Sequence, residues 1–183
     1  FGPEQDLFLN GISMGCASVL LAAELPLPAA VRGVIADCGY TSPWDEFAYL
    51  IKWDAHLPVR PLLYVAEGIT RCLAHWDFRS VTPKKAVART GLPILFLHGG
   101  ADTFVPPWMT RENYAACASE KELLIVPGAI HAQSYFGDTP GVQEKIARFV
   151  EKHERWGDAE HERAAAREEP SRAAEDGTSR LPG

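Results

Sequence analysis

Four short, nearly all-apolar runs constrain this 183-residue chain more than any other feature. They are residues 7–10 (LFLN), 31–36 (VRGVIA), 93–97 (PILFL) and 122–126 (ELLIV). Strands that carry apolar residues at successive positions are buried on both faces, which is the habit of parallel sheets. Each run is followed by a turn and then by a helix-like stretch. That alternation predicts an α/β architecture with a mostly parallel sheet of about four strands and flanking helices.

The intervening segments fit this plan. Residues 13–24 are rich in Ala and Leu and read as a helix stopped by Pro26 and Pro28. Ser42 offers a helix cap, with Pro43 at the first helical position and Asp45 three residues after the cap. From 43 to about 89 the chain reads as helical and irregular, with many aromatic side chains, and forms an insert between the second and third strands. Further helices are expected over 106–118 and from Thr139–Pro140 to about His153. The first 155 residues thus form one domain with its insert. Beyond Trp156 the composition shifts to Glu, Arg and Ala, then Pro, Ser and Gly, and residues 156–183 are expected to be a charged, disordered tail.

Composition excludes several functions. A formal net charge of −6 gives no cationic field for nucleic acid or an anionic membrane. There is no run of about eighteen apolar residues, so no membrane span is expected. The cysteines Cys16, Cys38, Cys72 and Cys117 contain no C-x-x-C pair, and reduced thiols fit a cytoplasmic setting. No metal-ligand spacing and no phosphate-cradling Gly-rich loop is present, so neither a metal nor another cofactor is expected.

The chemistry points to the first crossover, LFLNGISMGCASVLLAAEL. Ser13 lies between Gly11 and Gly15, after a strand and at the start of a helix. A serine on such a strained strand-to-helix turn holds its hydroxyl above the sheet, with small neighbours avoiding clashes. The helix N-terminus aims N–H groups at a developing oxyanion, and the N–H of Met14 is the expected donor. The alternative is a helix-capping serine beside two loop glycines.

A nucleophilic serine needs a base and an orienting acid, in the chain order Ser, acid, His. Of six histidines, His56 and His75 fall in the helical insert, and His153 and His161 fall near or in the tail. His98 ends a strand. His131, in PGAIHAQSY after the last strand, is the expected base. Asp102, in HGGADTFVP after the third strand, is the expected acid, since sites in open parallel sheets lie beyond the carboxyl ends of the strands. Asp37, in IADCGY at the same edge, is the alternative acid. The HGG at 98–100 is similar to an esterase oxyanion motif, but that motif should precede the nucleophile.

The stretches LNGISMGCASVL, VRGVIADCGYTSPWDEF, PILFLHGGADTFVP and PGAIHAQSY resemble the α/β-hydrolases, and more narrowly bacterial enzymes related to serine aminopeptidases and small acyl esterases. They cover most of residues 5–153. The resemblance implies the C-terminal part of such a fold, with a helical cap at about 43–90. It also implies strands ahead of Phe1, and a His-Gly loop there that gives the second oxyanion donor. The outer edge of DLFLNG is then expected to be unpaired. The activity implied is hydrolysis of a small-molecule carboxylic ester or related acyl bond by Ser13, His131 and Asp102. Two alternatives are a peptidase or amidase on the same residues, and an inactive truncated hydrolase fragment. Oligomeric state is not indicated by the sequence.

Overall fold

The computed structural model describes residues 5–53, 55–80 and 82–154; the expected tail at 156–183 lies outside them. In chain order the elements are β1 (Leu7–Ile12), α1 (Met14–Ala22), β2 (Val31–Asp37), α2 (Pro43–Trp53), α3 (Val59–Ala74), α4 (Pro83–Val87), β3 (Ile94–Gly99), α5 (Pro107–Ala116), β4 (Lys121–Val126), α6 (Ser134–Gly137) and α7 (Thr139–His153). The strands form one sheet in the order β1-β2-β3-β4. All three pairings are parallel. Among the described residues β1 pairs with β2 alone, so its outer edge is open, as expected for DLFLNG.

The apolar runs are explained by two cores, one on each face. Val34, Ala36, Ile94 and Phe96 point to one side, where they meet Cys16 and Leu20 of α1 and Val87 of α4. Their neighbours Ile35, Leu95 and Leu97 point to the other, against Val142 and Phe149 of α7. Alternation along each strand therefore sends both sets of side chains into apolar surroundings. The expected insert divides on the same grounds. Helices α2 and α3 pack on each other, whereas α4 packs between α1 and α5 with Ala86 and Val87 fully buried. The helix at 83–87 is thus part of the layer covering the sheet. The capping residues behave as their spacing predicts: the Asp45 N–H donates to Ser42 Oγ at 3.0 Å, and Ser42 Oγ–H donates back to Asp45 Oδ2 at 2.7 Å.

The turn from β1 to α1 is where backbone and sequence constrain each other most. Ser13 sits at φ 55°, ψ −117°, a sparsely populated conformation for a residue with a side chain. The Ser13 N–H donates to Asp37 O at 2.9 Å, and the Ala17 N–H donates to Ser13 O at 3.1 Å, which holds the kink from both sides. Gly11 is required there. A Cβ on it would lie 2.2 Å from Gly15 O and 2.4 Å from Gly15 C. Gly15 is different: a Cβ on it meets nothing within 4 Å. The expectation that both glycines clear the turn is corrected in this respect. Gly15 faces solvent, and its backbone carbonyl, not its missing side chain, is what presses on Gly11.

Gly11→Ala should therefore cost at least about 1–3 kcal/mol, the usual range for overpacking. Gly15→Ala should be neutral, or stabilising by up to about 1 kcal/mol, because alanine is the better helix former. Chemical denaturation of the two variants of the full-length protein checks this, and equal effects at both positions would contradict it.

Candidate active site

Each candidate residue stands on a loop at the carboxyl end of a strand. Ser13 follows β1, Asp102 follows β3, and His131 follows β4. Parallel register puts these ends on one edge, and backbone bonds lock the loops together. Cys38 N–H donates to Leu97 O at 3.0 Å, Gly100 N–H to Val126 O at 2.7 Å, and Ala101 N–H to Ala129 O at 2.9 Å. Gly99 permits the last approach, since a Cβ there would lie 2.4 Å from Ala129 O. The glycines of HGG thus let the Asp102 loop meet the His131 loop.

The side chains form one hydrogen-bonded chain. His131 Nδ1 lies 2.8 Å from Asp102 Oδ2, and His131 Nε2 lies 2.9 Å from Ser13 Oγ. A carboxylate can only accept, so the proton resides on Nδ1 and Nε2 is left to accept the Ser13 hydroxyl. Ser13 makes no side-chain cap bond to α1, so the capping alternative does not describe it. The imidazole is half-buried, while the Asp102 carboxyl is fully buried. Met14 opens α1 beside Ser13 and is 73% exposed, so its side chain does not block the helix N-terminus. Ala132, next to the histidine, has φ 58°, a positive value that aims the loop.

Asp102 is held by donors on both oxygens. Oδ1 accepts the Phe104 N–H at 2.9 Å and the Val105 N–H at 3.0 Å. Oδ2 accepts from His131 and also lies 3.2 Å from His98 Nε2. Burial pushes this carboxyl up. The hydrogen bonds from His98 and His131 outweigh it and hold the group below the usual carboxylate range. Asp37, the alternative acid, is placed elsewhere. Its Oδ1 accepts the Ser134 hydroxyl at 2.8 Å, its Oδ2 has no partner, and burial pushes its carboxyl up. Ser134 is three residues beyond His131, so Asp37 anchors the histidine loop.

Two residues that brace the site carry no assigned role in the sequence. His98 is fully buried, with Nδ1 2.7 Å from Thr110 Oγ1 and Nε2 2.8 Å from Val105 O, and it braces the Asp102 loop from below. Its position four residues before Asp102 at a strand end was the available signal. Ser134 belongs to α6, a single turn in a stretch read as loop. Cys38 Sγ, Asp102 and His131 bring ligand-type atoms within 4.8 Å of one another. A metal there would have to displace the bonds to Ser13 and between His131 and Asp102. It would also have to ionise a thiol that burial, then the nearby Asp37, pushes up to about 12.

Glu46 of α2 is buried, and neither carboxyl oxygen has a partner. Burial, with Asp102 adding like charge, pushes it up to about 7. An ordinary glutamate in the unfolded chain ionises near pH 4.3. The folded state therefore keeps a proton that the unfolded state has lost, and stability falls as pH rises from about 4.5 to 7. Glu46→Gln should remove up to about 3 kcal/mol of that loss. Denaturant unfolding of both proteins at pH 4.5 and 7.5 measures it, and parallel pH profiles would contradict the assignment.

Comparison with known proteins agrees with this fold. The profile of the TAP-like protein family of α/β-hydrolases matches residues 63–158. YqkD of Bacillus subtilis is 27% identical over 143 residues, covering 78% of this chain and 47% of its own length. The chain thus spans about half the length of this curated relative. An esterase from Pyrococcus furiosus superimposes with a TM-score of 0.61 at 17% identity, over 81% of this chain and 55% of that one. The acylaminoacyl peptidase of Pyrococcus horikoshii gives 0.61 at 16% identity, over 82% and 24% respectively. With a parallel sheet, a strained serine between β1 and α1 and a family match over more than half its length, the chain belongs to the α/β-hydrolase superfamily, in its TAP-like family.

Proposed function

We propose that this chain carries the catalytic residues of a serine hydrolase that cleaves a carboxylic ester or related acyl bond. The observation that supports it most is the unbroken relay from Ser13 Oγ to His131 Nε2 at 2.9 Å and from His131 Nδ1 to Asp102 Oδ2 at 2.8 Å. Ser13 Oγ attacks the acyl carbon as Nε2 takes its proton. Asp102 fixes the tautomer and stabilises the imidazolium that forms. The Met14 N–H, at the positive end of α1, stabilises the oxyanion. His131 then returns the proton to the leaving group, and an ester of Ser13 remains. Water, deprotonated by the same imidazole, releases the acid. Helices α2 and α3 act as the cap over this edge, with the Tyr49 hydroxyl donating to Thr103 O at 3.1 Å.

A peptidase or amidase reading uses the same residues and differs in the bond cleaved. The structural neighbours include both an esterase and an acylaminoacyl peptidase. The ester reading is preferred because, among the described residues, no exposed acidic cluster suited to an N-terminal amine surrounds Ser13.

A fluorophosphonate probe on the full-length protein should label Ser13 and no other residue. Ser13→Ala should abolish labelling and lower kcat on p-nitrophenyl acetate by about four to six powers of ten, with His131→Ala close behind and Asp102→Asn losing about four. Asp37→Asn should lose far less. Undiminished labelling in Ser13→Ala would overturn the proposal, and faster turnover of aminoacyl anilides than of esters would favour the peptidase reading.

A further inference from the structure

A cleft of about 240 Å³ is lined by Tyr49, Leu50 and Trp53 of α2 and by Thr103 and Phe104 of the Asp102 loop. Its two walls are tied together by the Tyr49 hydroxyl bond to Thr103 O. Phe104 links the cleft to the chemistry: its ring centroid lies 4.9 Å from that of His131, tilted by 54°. Trp53 and Phe104 are 59% and 51% exposed, which is unusual for large apolar rings and leaves their faces available to a ligand. Among the described residues, no carboxylate lines the cleft. Lys52 Nζ stands 4.6 Å from the Trp53 ring centroid and puts a positive charge at the rim.

The location decides which half of a substrate the cleft serves. His131 Nε2 must give its proton to the departing oxygen, so the leaving group has to lie beside the imidazole. The oxyanion, and with it the carbonyl, lies toward Met14 at the start of α1. The side of the site bounded by His131 and Phe104 is therefore the leaving-group side. We infer that this cleft binds the alcohol portion of the ester, and that it selects a neutral, apolar alcohol about the size of one aromatic ring. This rests on the hydrolase reading given above. The size follows from volume: an apolar cavity of about 150 Å³ accepts benzene. A cationic alcohol is disfavoured, because Lys52 already puts a positive charge beside the Trp53 ring.

The inference has a kinetic signature. All acetate esters give the same acetyl-enzyme once the alcohol has left. A leaving-group cleft therefore affects acylation, read in kcat/KM, and leaves hydrolysis of the acetyl-enzyme unchanged. The test compares methyl, benzyl and choline acetates, then acetate, butyrate and hexanoate esters of one alcohol, on the full-length protein. Benzyl acetate should exceed methyl acetate in kcat/KM by about 10- to 100-fold, with choline acetate well below benzyl. Trp53→Ala and Phe104→Leu should each remove most of the benzyl preference. Both should leave the acyl-chain preference unchanged. Retention of the benzyl preference in both variants would overturn the inference. So would variants that alter acyl-chain preference instead, which would make the cleft an acyl pocket. If the parent protein takes no label at all, the hydrolase reading itself fails, and that outcome is separate from the other two.

Discussion

The hydrogen bond from His131 Nδ1 to Asp102 Oδ2 is the contact on which the site depends. An imidazole on a loop can rotate, exchange tautomers and be protonated on either nitrogen. A buried carboxylate that can only accept removes those freedoms, because it requires a proton on Nδ1. Nε2 is then available to Ser13 as an acceptor. The bond forms in a fully buried position on the Asp102 side, where water does not compete for the carboxylate. The strained turn at Ser13 works together with this bond, since the hydroxyl is directed at Nε2 and not at the helix behind it.

What brings these atoms together is the parallel sheet. Strands that run the same way end on the same edge, so the loops after β1, β3 and β4 are neighbours although Ser13 and His131 are 118 residues apart. The edge is then stitched laterally, from Ser13 N–H to Asp37 O, Cys38 N–H to Leu97 O, and Gly100 N–H to Val126 O. Each of these bonds continues the ladder one step beyond the strand ends. The loops are thus extensions of the sheet, and their side chains inherit its rigidity.

The strands, their parallel pairing and the major helices were legible in the sequence, as were the loops whose Ser13, Asp102 and His131 side chains meet. Strong signals carried them: unbroken apolar runs such as PILFL, a Ser-Pro-x-Asp cap, and a serine between glycines where a strand period changes to a helix period. The parts that were not legible depend on packing. Gly15 reads as a clearing residue, yet only the turn's three-dimensional path shows that Gly11 alone meets the opposing backbone. The helix at 83–87 reads as part of the insert because nothing local marks that Ala86 and Val87 face the sheet. His98 offers a candidate base by residue type, and only its burial against Thr110 and Val105 shows a bracing role. A residue's chemistry can be read from its type and loop, but its partners come from contacts distant in the chain.

The choice between the two aspartates shows how such contacts decide function. Asp37 and Asp102 both follow strands at the same edge, and Glu46 brings a third carboxyl close enough to feel Asp102. Like charges this near cannot all ionise in a buried setting. Their hydrogen-bond donors rank them. Asp102 has backbone N–H groups on one oxygen and imidazoles on the other, and is held low. Asp37 has the Ser134 hydroxyl on one oxygen and nothing on the other, and is raised. Glu46 has no partner on either oxygen and is raised to about 7. Hydrogen bonds to the charged form thus concentrate the negative charge on the one carboxyl that faces His131. Burial disfavours charge on Asp37 and Glu46, so the best-held negative charge near His131 is that of Asp102, 2.8 Å from Nδ1.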